Sequence, residues 1–132
     1  MGQLQKIESE LLSLGVQIVA VSGETRDQLK SAAQKNQLNY RLLSDSNMAA
    51  AAAFGIAYRV GDEVVTQYKG YGIELPRVGG VAQLPVPAVF LVRTDGIVAF
   101  SYANPDYRVR LHPDVLLAAA RAEMQRSQAA GR

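Results

Sequence analysis

The reading of this chain turns on the stretch Leu84-Pro85-Val86-Pro87-Ala88-Val89-Phe90-Leu91-Val92-Arg93-Thr94-Asp95-Gly96-Ile97-Val98-Ala99-Phe100-Ser101-Tyr102. Val89 to Val92 is continuously apolar, as expected of a strand covered on both faces. Thr94-Asp95-Gly96 is a turn signal between two β-prone runs, so Ile97–Tyr102 reads as the return strand of a hairpin. Pro85 and Pro87 stand just ahead of the first strand. Taken alone, they stiffen the approach to a strand edge, where a missing N–H is tolerated.

Downstream, Asn104-Pro105-Asp106 breaks the hairpin. His112-Pro113-Asp114 opens a helix with proline at its first helical position, and Val115, Leu116 and Ala119 face inward. From Gln125 the residues are polar and small, so a domain over 1–124 with a fraying tail over 125–132 is expected. Upstream, Leu4, Ile7, Leu11 and Leu14 form a one-face helical stripe that Gly15 ends. Val16–Val21 follows as a strand apolar enough for cover on both faces, as in a parallel sheet. Thr25-Arg26-Asp27-Gln28 has capping-box spacing and starts a second helix to about Lys35, with Leu29, Ala32 and Ala33 on its apolar side. Tyr40–Leu43 is a short strand. Ser44-Asp45-Ser46 then caps an alanine-rich helix, Asn47–Phe54, stopped by Gly55. Val60, Val64, Val65 and Tyr68 have helical spacing, so Ile56 to Gly72 reads as helix. Glu74–Gln83, with Pro76, Gly79 and Gly80, reads as loop. Helices and strands alternate through one α/β domain.

Composition narrows the chemistry. The 132 residues carry 14 basic and 12 acidic side chains, for a net charge of +2, and no run of Lys or Arg. Nucleic-acid binding wants a concentrated basic face and is not expected. No apolar stretch approaches the roughly 20 residues of a membrane span. The N-terminal segment is amphipathic rather than signal-like, so a cytoplasmic location is expected. Cysteine is absent and histidine occurs once. The polypeptide therefore offers no disulfide, thiolate ligand or thiol nucleophile, and a transition-metal site or bound cofactor is not expected.

The ordered landmarks resemble the peroxiredoxin-like (AhpC/TSA-type) branch of the thioredoxin-like superfamily. They are Leu14-Gly15 leading into Val19-Ala20-Val21-Ser22, Leu42-Leu43-Ser44-Asp45, Ala53-Phe54-Gly55-Ile56, Leu84-Pro85-Val86-Pro87-Ala88, the Asp95-Gly96 turn, and Asn104-Pro105-Asp106-Tyr107 with Arg110. The resemblance covers roughly Leu4 to Met124. It implies a thioredoxin-like three-layer sandwich with a mixed sheet and a cis Val86–Pro87 bond facing the active end. It also implies the activity of a thiol-dependent antioxidant. This sequence departs from the family at the decisive place: the central strand and the cysteine turn that precede the first helix in relatives are missing. The resemblance therefore implies a catalytically silent chain, shortened at its N-terminus. Two open strand edges would then face each other. Direct pairing of the halves, a homo-oligomer with a swapped element, or a longer parent protein would each relieve them, and the oligomer is favoured. A non-catalytic module binding a protein or peptide partner, or a self-associating thioredoxin-fold fragment, is the alternative function.

Several residues are weighed individually. Ser22, Asp106, Tyr107 and Arg110 are the residual active-face candidates that the resemblance implies, alongside Val86 and Pro87; for Asp106, Tyr107 and Arg110 an ion pair anchoring the terminal helix is the expected role. Ser22, Thr25 and Ser44 lie near strand ends, where α/β sites form, but no Ser-His-acid order accompanies them, so capping is expected. His112 suits a helix cap better than a general base. Gly70-Tyr71-Gly72 and Gly79-Gly80 lack the setting of a phosphate loop. Tyr58, Tyr68 and Tyr71 read as half-buried packing.

Overall fold

The computed structural model describes residues 2–37, 39–106 and 108–130. Helix α1 (Gly2–Ser13) buries Ile7 and Leu11 from its leucine stripe, and its chain leads into β1 (Val19–Ser22). Helix α2 (Arg26–Asn36) starts at the expected capping box. The Thr25 side chain accepts from the Gln28 N–H at 3.3 Å, and the Gln28 side chain accepts from the Thr25 N–H at 3.0 Å. Strand β2 (Arg41–Ser44) then pairs with β1 in parallel, Ala20 opposite Leu42. Parallel neighbours need a crossover, and α2 supplies it.

Helix α3 (Ala49–Ala53) is short. Of the polar residues expected to cap it, Asp45 does so: its carboxylate accepts from the Ala50 and Ala51 N–H groups, each at 2.9 Å. The region 56–72 differs from the helix read in the sequence. It begins as strand β3 (Ala57–Arg59) and becomes helix only at α4 (Asp62–Gly70). The expected loop Glu74–Gln83 is largely a hairpin of β4 (Arg77–Val78) and β5 (Val81–Pro85). Gly79 and Gly80 turn it, both at positive φ (60° and 81°), the geometry that two-residue hairpin loops favour and side chains resist. Strand β5 is central in a β3-β5-β4 antiparallel sheet, with Tyr58 opposite Leu84. Tyr58 thus lies on a strand and not at helical spacing from Tyr68.

Strands β6 (Ala88–Val92) and β7 (Val98–Ala103) form the expected hairpin. Asp95 fixes its turn, accepting from the Ile97 N–H at 3.1 Å and from Arg93 Nη2 at 2.6 Å. Helix α5 (Pro113–Ala130) starts at the expected proline and continues through Gln125, where the sequence suggested fraying.

The core lies between the two ends of the chain. Ile7 and Leu11 of α1 meet Leu116, Leu117 and Ala120 of α5, with Val16, Ile18 and Val89 packed against them. The β1-β2 and β6-β7 ribbons therefore share one helical layer, yet they remain separate sheets. Among the described residues the two halves do not pair directly. Cover on both faces of β1 does not occur either: Val19 and Val21 are 46% and 52% exposed. No described helix is long and apolar enough to cross a membrane.

Candidate functional site

The strand ends of the β1-β2 ribbon and the segments flanking β6 hold the residues singled out in the sequence. Ser22 closes β1, and its carbonyl accepts the Asp45 N–H at 2.6 Å. Its hydroxyl is used locally: it accepts from the Glu24 N–H at 3.2 Å and lies 3.3 Å from Glu24 Oε1. The Ser44 hydroxyl donates to the Glu24 carbonyl at 2.6 Å. Both serines therefore organise the turn after β1, whereas the helix cap there is Thr25. Gly23 lets the next segment come close. A Cβ built there would stand 2.9 Å from Pro76 Cγ.

Val86 and Pro87 join two sheets. The Val86 N–H donates to the Ile56 carbonyl at 2.8 Å, and the Pro87 carbonyl accepts the Asn104 N–H at 3.1 Å. The expected cis bond is not formed; Val86–Pro87 is trans, as is every described peptide bond. The trans form is the commoner X–Pro state, and its backbone partners here are met without isomerisation. Asn104 in turn accepts the Asp106 N–H on its side chain at 2.9 Å. The structure thus links Pro87 to Asp106 through Asn104, a residue the sequence reading treated only as a strand breaker. The Asn-Pro-Asp order, a common turn-forming pattern, was the available signal.

Asp106 is gripped by Arg108, whose Nε and Nη2 donate to Oδ1 and Oδ2 at 2.9 and 3.1 Å. That side-chain pair, reinforced by the Arg108 backbone N–H, holds the Asp106 carboxyl below the ordinary aspartate value. It stays ionised and is unsuited to donate a proton near neutrality. Arg110 is exposed on the same segment. Tyr107 lies outside the described residues.

The remaining candidates are structural. His112 Nδ1 accepts the Asp114 N–H at 3.1 Å and caps α5. Tyr68 and Tyr71 pack edge to face at 6.5 Å, and burial, then the nearby Tyr68, raises the Tyr58 hydroxyl above its ordinary value. A raised phenol is a poorer nucleophile at neutral pH. A shallow open depression between β7 and α5, lined by Leu91, Phe100, Ala119 and Glu123, has its acid engaged by Arg126 at 3.2 Å and Arg93 at 3.8 Å. Among the described residues no group of three His, Cys, Asp or Glu is placed to hold a metal.

Fold and site together define a thioredoxin-type α/β protein, and no cysteine occurs among its 132 residues. The sequence profile of the AhpC/TSA family matches residues 1–101, and the chain belongs to that family. Solved structures share the fold. The bacterioferritin comigratory protein of Xanthomonas campestris superimposes with a TM-score of 0.68 at 20% identity, over 93% of this chain and 69% of its own. The peroxidoxin BcpB of Mycobacterium tuberculosis gives 0.65 at 22% identity, over 92% of this chain and 66% of its own. This chain therefore spans about two thirds of the length of these relatives. No curated protein matches it. The chain resembles a thiol-dependent peroxidase in family and fold, and it contains no cysteine.

Proposed function

We propose that this polypeptide is a non-redox thioredoxin-fold body of peroxiredoxin type, silent in peroxide reduction and acting through its surfaces. One observation carries the reading: peroxide reduction of this type needs a thiolate, and no residue of the 132 can form one. The other candidate groups do not replace it. Asp106 is paired with Arg108, and the Ser22 hydroxyl is bound into its own turn with Glu24. Peroxide consumption with dithiothreitol or thioredoxin as reductant tests this directly. The expected rate equals the blank, and turnover above it overturns the reading.

The apolar face of the β1-β2 ribbon supports self-association as part of the same reading. Val19, Val21 and Leu43 stand together on it and are about half exposed, a patch that association would cover. Light scattering behind a sizing column is expected to show a homo-oligomer, and a monodisperse monomer would exclude it. With this reading goes a cytoplasmic location, which cell fractionation checks.

A further inference from the structure

The groove between β7 and α5 lies at the turn end of the β6-β7 hairpin, where Val92 pairs with Val98. Pro87 and Asn104 flank the other end, where Ala88 pairs with Ala103. The floor of the groove is apolar, built from Leu91, Ile97, Val98 and Phe100 of the hairpin and Ala119 and Ala122 of α5. Ile97 and Val98 are about half exposed. The space over the floor is about 440 Å3, the size of a small-molecule site. Beside it runs a chain of charges, Asp95–Arg93–Glu123–Arg126. Arg93 Nη2 donates to Asp95 at 2.6 Å, and Arg93 Nε lies 3.8 Å from Glu123. Arg126 donates to both Glu123 oxygens, from Nε and Nη2, each at 3.2 Å.

The two ends of this chain differ in what they leave open. All four acid oxygens already have a donor: those of Glu123 from Arg126, and those of Asp95 from Arg93 and the Ile97 N–H. A cationic ligand therefore meets no unused acceptor there. Arg126 is the reverse case. Its side chain is 63% exposed, against 17% for Glu123, and it gives Glu123 only the Nε–Nη2 edge of a guanidinium that carries further N–H donors. A second carboxylate fits that remaining fork. We propose that the groove binds an amphipathic monocarboxylate, its aliphatic tail lying on the floor along β7 and its carboxylate on Arg126. From Ile97 to Phe100 the chain runs about 10 Å, the reach of a tail of about eight carbons. The apolar floor supplies affinity and Arg126 selects the head group. The site needs no thiol, so it goes beyond the non-redox reading and stands or falls apart from the peroxide assay.

Titration of the full chain with sodium octanoate, followed by amide NMR, tests it, with octan-1-ol and octylammonium as the compared probes. Octanoate is expected to shift the amides of Ile97–Phe100 and Ala119–Arg126 saturably. Its Kd should be in the low millimolar range, about what its roughly ten non-hydrogen atoms can supply. Hexanoate should bind about two- to fourfold more weakly for each methylene lost. Arg126→Gln should weaken octanoate about two- to fivefold, the scale of an exposed ion pair, and leave octan-1-ol unchanged. Ala122→Leu fills the groove without altering charge and should weaken both. Four results overturn the proposal. They are no saturable shift, octylammonium binding as tightly as octanoate, an equal loss of octan-1-ol and octanoate in Arg126→Gln, and shifts of the same amides with protein concentration alone. The third would leave Arg126 a structural role only, and the fourth would assign the groove to a second copy.

Discussion

The rings of Phe54 and Phe90 lie 4.6 Å apart between centroids, tilted by 36°. Phe54 caps the C-terminal end of α3, and Phe90 stands in the middle of β6. The pair is thus a side-chain link between α3 and the β6-β7 hairpin. Phe90→Ala is expected to cost about 2 kcal/mol, below the full-burial figure because the ring is only half buried. The coupling between the rings, read from a double-mutant cycle in urea, should be about 1 kcal/mol. A coupling of zero would mean that the contact does not hold the two parts together.

Asp45 is the buried polar residue among those described, and its carboxylate serves two backbone N–H groups at the start of α3. Asp45→Ala leaves both donors without a partner and is expected to lose about 2 kcal/mol. Asp45→Asn retains one acceptor oxygen and should fall between the two. Chemical denaturation of the three proteins ranks them, and an alanine variant as stable as the parent would refute the capping role.

At Gly23 the constraint is steric. Its φ is ordinary, but the position of a Cβ lies 2.9 Å from Pro76 Cγ, a ring atom with little freedom to retreat. Gly23→Ala should cost about 1–3 kcal/mol, the range of overpacking. Adding Pro76→Ala removes the obstructing ring and should recover most of the loss. If the double variant is no better than Gly23→Ala, the clash is not the cause.

Acid titration isolates the Asp106–Arg108 pair. Asp106 titrates below the ordinary 3.8 because the folded chain favours its ionised form. Its stabilising contribution is accordingly present above the unfolded value and lost as pH falls through the folded one. Arg108→Gln should move the midpoint of the Asp106 carboxyl signal in NMR up toward the ordinary value. The exposed setting keeps the effect on global stability small. An unchanged midpoint in the variant would show that Arg108 does not hold the carboxylate.

The legible parts of the sequence were those whose causes are local. The Thr25–Gln28 capping box, the Asp95-Gly96 turn and the His112-Pro113 helix start each depend on residues within a few positions, and each is found as read. Strand β3 was not legible. Three residues carry no period, and Ala57–Arg59 is a strand only because Gln83–Pro85 lies beside it. Gly79-Gly80 looked like loop material, yet the same freedom at positive φ makes the tight turn between β4 and β5. At the site, the family and the missing thiol could be read directly. Backbone links could not: Pro87 and Asp106 meet through Asn104, and the Val86–Pro87 bond takes the trans form that its Ile56 and Asn104 partners accept.

The packing of α1 on α5 has a consequence for synthesis. Leu11 leaves the ribosome about a hundred residues ahead of its buried neighbours Leu116, Leu117 and Ala120. Contacts of such long sequence separation form late and slowly. During translation α1 must wait, with its apolar stripe uncovered, until α5 has been made. Nascent chains halted before Leu116 are therefore the form of this protein most in need of a chaperone.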